Sequence, residues 1–77
     1  MAEIIKMVKL QSNTRGSWRD VLEFDASNDY LTSQIMYAAA LLFDNVPGAT
    51  LRIIIPTNTA PLMNWTPADG WKLWRAA

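Results

Sequence analysis

Nine consecutive apolar residues, Ile35 to Phe43, lie inside the one segment of this chain long enough to make an extended helix. A surface helix ordinarily carries one apolar stripe and one wet face. A helix that is apolar on every side offers more than a single core can take up. The excess predicts that something besides the chain's own core covers part of it, and in a small protein that cover is a partner or a second copy.

Length sharpens the point. With 77 residues there is room for one domain and one core, and a chain of this size buries only about 60% of the surface its unfolded form exposes. Small domains usually add disulfides, a metal or oligomerisation. This one has no cysteine and no histidine, which leaves association. The same gaps remove familiar chemistry, because zinc sites, cysteine nucleophiles and Ser-His-Asp arrangements all need one of these residues. With only three glycines, at Gly16, Gly48 and Gly70, neither the dinucleotide fingerprint nor the phosphate-cradling loop is present. No catalytic residue, metal ligand or cofactor is expected.

The N-terminus carries Glu3 and lacks the apolar run of a secretory signal, and no segment reaches the about 20 residues needed to span a bilayer. A soluble, cytoplasmic protein without membrane contact is expected, and the lack of cysteine fits a reducing compartment.

Net charge is zero but unevenly spread. Residues 1–19 sum to +3, residues 20–44 to −5, with no base among them, and residues 45–77 to +2. Such segregation makes a basic and an acidic surface unless strands and helix pair their charges across the fold, which is the simpler expectation.

In chain order, Glu3–Leu10 is short and rich in Ile, Val and Leu, and the turn formers after it predict a hairpin through Gln11–Ser17. From Trp18 to Phe24 a period of two places Trp18, Asp20, Leu22 and Phe24 on one face and Arg19, Val21 and Glu23 on the other. Asp20 and Glu23 then point to opposite faces and share no acid/base task. The side-chain oxygens of Asp25 to Asp29 suit a helix start near Ser27 or Asn28, and Val46-Pro47-Gly48 stops the helix at about Asn45.

At about 100° per residue, Leu31, Ile35, Ala39, Leu42 and Phe43, with Met36 at the margin, form the core stripe. Tyr30, Tyr37 and Leu41 fall opposite, flanked by Ser33, Gln34, Ala40 and Asp44. Tyrosine offers large rigid area with a polar tip and concentrates in interfaces. Tyr30, Gln34, Tyr37 and Leu41 are therefore the expected partner-binding residues, unless a tail or loop of the same chain folds over them.

Ala49–Pro56 alternates as a third strand, with Leu51, Ile53 and Ile55 against Thr50, Arg52 and Ile54. Thr57–Asn64, which contains Pro61, reads as a loop with at most a short edge segment near Leu62–Trp65. The C-terminal segment has both a helix-start pattern at Thr66-Pro67-Ala68-Asp69 and a turn followed by alternating Trp71-Lys72-Leu73-Trp74-Arg75. The strand is favoured, since Gly70 costs a helix about 1 kcal/mol.

The expected fold is α+β, a small ββαβ(β) domain whose mostly antiparallel sheet has the order 2-1-3-4 with one helix packed on one face. A right-handed crossover would set the third strand beside the first. The opposite sheet face would display Arg19, Val21, Glu23, Arg52, Ile54, Lys72 and Trp74. Of these, Arg19, Arg52, Lys72 and Trp74 could neutralise phosphates and stack bases, the pattern of a single-stranded nucleic-acid binder. Glu23 among them and the zero net charge favour a solvated face instead. Four tryptophans, at 18, 65, 71 and 74, are expected to close the end of a thin core.

These features point to a non-enzymatic protein-binding accessory module, homodimeric or acting on another protein. Chains of this kind are common among accessory proteins of bacteria and their phages, where an inhibitor of a host defence or regulatory protein is one form such a module takes.

Overall fold

The structure is a computed structural model that describes residues 6–73, with the side chains of residues 58–60 left aside. Five strands and one helix follow in the order β1 (Met7–Asn13), β2 (Trp18–Asp25), α1 (Asp29–Phe43), β3 (Thr50–Ile55), β4 (Asn58–Thr66) and β5 (Gly70–Leu73). They form a single sheet in the order β2-β1-β3-β4-β5, each neighbouring pair antiparallel. The expected order broadly holds, but the C-terminal strand expected beside β3 lies one place further out, because Asn58–Thr66 forms a strand between them. Since β2 and β3 both run antiparallel to β1, they are parallel to each other, and α1 is the connection that carries the chain across β1.

Local chemistry accounts for the boundaries. Asn13 Oδ1 accepts from the Gly16 backbone N–H at 2.9 Å, and Gly16 takes the positive φ (+88°) that closes the β1–β2 hairpin. β1 thus runs on through Gln11–Asn13, residues expected in the turn, while the expected strand residues 3–5 lie outside the described part. Asn28 caps the helix by accepting from Leu31 N–H at 3.0 Å, and Asp29 sits in the first turn, where a negative charge is favoured. At the other end the Asp44 N–H donates to Ala40 O before Pro47 and Gly48 turn the chain.

The segment expected as a loop, Thr57–Asn64, is mostly strand. Pro61 signalled a break, yet it lies opposite Ile54 at a register irregularity of the β3–β4 pair. A proline lacking its N–H is tolerated at such an irregular position. The C-terminal run from Gly70 to Leu73 is a strand, as expected, and pairs with β4.

Val8, Leu10, Phe24, Ala39, Leu51, Ile53 and Trp65 make the core between the sheet and α1, with Leu51 fully enclosed. Trp71 packs against it from β5, and its indole Nε1–H donates to the Met36 carbonyl at 2.9 Å. That bond ties the last described strand to the middle of the helix.

A bulge in β2 overturns the expected faces of that strand. Leu10 pairs with Leu22 and Gln11 with Asp20, so Val21 is an extra, unpaired residue. Leu22 and Phe24 stay on the helix side, whereas Trp18 and Asp20 turn to the open face. Arg19, paired with Ser12, moves to the helix side. Asp20 and Glu23, expected on opposite faces, therefore share the open one.

Candidate docking surface on the helix

α1 meets the core through Ile35, Met36, Ala39, Ala40 and Phe43. The buried arc is rotated from the one expected: Leu42 is 72% exposed and Leu31 38%, while Met36 and Ala40 are half-buried. The Met36 side faces β5, where Trp71 Nε1–H donates to the Met36 carbonyl, and a contact between residues 35 positions apart leaves no trace in helical periodicity.

Tyr30 and Tyr37 are 75% and 68% exposed, and Gln34 and Leu41 are exposed as well. All four expected partner-binding residues thus lie together on the outward face of α1, and no described segment folds over them. The rotation adds Leu31, Ala38 and Leu42 to the same surface, next to Val21 and Leu22 of β2. Between them runs an apolar groove of about 150 Å³, lined by Val21, Leu22, Ile35, Ala38, Leu42 and Phe43. Sequence reading missed Leu31 and Leu42 as surface residues. It also missed that the β2 bulge sets Val21 beside the helix.

The open sheet face is built differently. Arg52 Nε donates to Gln11 Oε1 at 2.8 Å, Gln11 Nε2 donates to Asp20 Oδ1 at 2.7 Å, and Lys9 Nζ pairs with Asp20 at 3.1 Å. The Arg52 guanidinium lies 4.1 Å from the centroid of the Trp18 ring, a cation–π contact. This chain of contacts braces β2, β1 and β3 across the sheet. The hydrogen bond from Gln11 and the neighbouring Lys9 ammonium hold the Asp20 carboxyl below its ordinary range, so it stays ionised, the reverse of what a general acid requires.

The expected phosphate-binding set is only partly brought together. Arg52 and Lys72 share the open face, since both register with Asn64. Arg19 lies on the other side of the sheet, and Trp74 falls outside the described residues. Arg52 already covers one face of Trp18, and Lys72 is 3.5 Å from Asp69. A second hollow, about 480 Å³, is lined by Lys6, Met7, Val8, Ala26, Ile55 and Leu62. It is apolar apart from Lys6 and sets no pair of ionisable groups against each other.

The site is thus an apolar helix face on a two-layer α+β domain. No protein-family model, curated protein or solved structure matches the chain. Among the described residues no helix is long and apolar enough to cross a membrane.

Proposed function

We propose that this protein is a non-enzymatic protein-binding module that docks through the outward face of α1. One observation carries the reading: Tyr30, Tyr37, Leu41 and Leu42 stand well exposed on a helix already anchored to the core through its opposite side. Monomeric soluble proteins seldom leave contiguous apolar patches larger than a few hundred Å² open to water. Exposed tyrosine and leucine at helical spacing are the anchors with which helix-docking partners engage. Size, neutrality and the lack of Cys and His fit an accessory protein of the bacterial or phage kind working in the cytoplasm.

Single-stranded nucleic-acid binding is the second reading, and the network that ties Arg52 to Gln11 and Trp18 weighs against it. The double variant Tyr37→Lys with Leu41→Glu tests the first reading. Retention of the far-ultraviolet spectrum and cooperative melt, with loss of protein binding, is expected; unfolding would show the stripe to be core. A fluorescent single strand tests the second, because phosphate-driven binding must fall steeply as salt rises, and no binding is expected.

A further inference from the structure

We infer that the occupant of this face is a second copy of the same chain, packed so that the two α1 helices lie antiparallel across a twofold axis. The inference rests on the docking reading above and names its partner.

Area is the first argument. Val21, Leu22, Tyr30, Leu31, Tyr37, Leu41 and Leu42 are between 38% and 75% exposed. Taking about 150–200 Å² for a side chain of this size when fully open, they present on the order of 600–800 Å², near the about 800 Å² per partner of a stable interface.

Charge is the second. No acidic or basic residue occurs from Tyr30 to Phe43. At about 100° per residue Asp29 lies diametrically opposite Ala38, and Asp44 about 120° round from it. The line through Leu31, Ala38 and Leu41 therefore offers a foreign partner no ionic handle, yet meets its own image without repulsion, Asp44 lying at the Tyr37 margin of the face. The zero net charge of the chain removes the longer-range repulsion between copies as well.

Spacing is the third. Leu31, Gln34, Ala38 and Leu41 recur at intervals of three, four and three, the seam of a paired helix. An antiparallel twofold sets Leu31 against Leu41 of the second copy and Gln34 against its Ala38, so that a small residue meets a longer one at each central layer. Every contact is then made twice, as an isologous dimer requires.

The β2 edge resists the competing arrangement, pairing by strand addition. It has its bulge at Val21 and carries Arg19, Asp20, Glu23 and Asp25, and a bulged, charged edge resists pairing.

The absence of native cysteine makes the test direct. Light scattering on the full chain should give twice 8.7 kDa, falling toward the single-chain mass on dilution. Leu41→Lys should give the single-chain mass with an unchanged far-ultraviolet spectrum. A Gln34→Cys chain mixed with an Ala38→Cys chain and oxidised should form the mixed disulfide well ahead of either like-with-like product, because only the antiparallel seam brings these two positions together. Faster like-with-like disulfides would overturn the arrangement. A single-chain mass at every concentration would overturn the second copy as occupant while leaving the docking reading standing. Unfolding of the Tyr37→Lys, Leu41→Glu double variant would remove both.

Discussion

Two side chains do more than their types suggest. Asp25 Oδ1 accepts from the Ser27 hydroxyl at 2.7 Å, from the Ser27 N–H at 2.9 Å and from the Lys6 N–H at 3.0 Å, joining the start of β1 to the turn that enters α1. The Ser27 hydroxyl bond first, then the two backbone N–H groups, lower its pKa from 3.8. A carboxyl whose folded pKa is depressed contributes stability above its unfolded value, and that contribution is lost as pH falls through the folded one. Asp25→Ala should therefore be less stable than the parent at neutral pH, with the gap closing well below pH 3.8, as measured by urea titration at both. Trp71 is the other case. Trp71→Phe keeps a ring against the core but removes the donor to Met36 O, and a loss of about 0.5–1.5 kcal/mol is expected. Thermal melts that match the parent would show the bond to be incidental.

At the scale of elements, the β2 bulge decides what each sheet face carries. Val21 is the unpaired residue, so deleting it should leave every other β1–β2 pair where it is. The shortened chain is expected to fold with Trp18 still under Arg52, visible as ring-current shifts of the Arg52 side-chain protons. Loss of those shifts would mean that the strand had changed register. Arg52→Ala removes both the Gln11 bond and the Trp18 contact and should cost about 1–3 kcal/mol. Its effect is expected in the melt and not in nucleic-acid affinity, which separates a brace from a binding site.

For the whole molecule the governing fact is how little is buried. Among the described residues nine hydrophobic side chains are buried, seven of them in one cluster, and a domain of this length has about 4–12 kcal/mol of stability. Leu51→Ala, at a fully enclosed position, should remove about 2–5 kcal/mol of it, read as a lower urea midpoint. If two copies share their helix faces, association adds to folding by mass action. The melting temperature should then rise with protein concentration, whereas in Leu41→Lys it should not. A concentration-independent melt in the parent would place all the stability in the single chain.

Most elements were legible in the sequence, because each rests on neighbours in the chain: the period of two in β3 as far as Ile53, beyond which Ile54 is buried and Ile55 exposed, the Asn28 cap, the stop at Pro47 and Gly48, the turn before β5. The excess of apolar residues from Ile35 to Phe43 was equally local, and with it the exposure of Tyr30, Tyr37 and Leu41. What tertiary structure alone decided came from contacts between residues far apart. Pro61 fits inside β4 because the β3–β4 register is irregular opposite it, at Ile54. Leu31 and Leu42 are open on a helix whose Met36 side is bonded to Trp71 of β5. Trp18 and Asp20 leave the helix side, and Arg19 parts from Arg52, because one residue of β2 finds no partner in β1. Periodicity assumes an unbroken repeat, and a bulge or a long-range hydrogen bond changes the phase of that repeat without altering any residue within it.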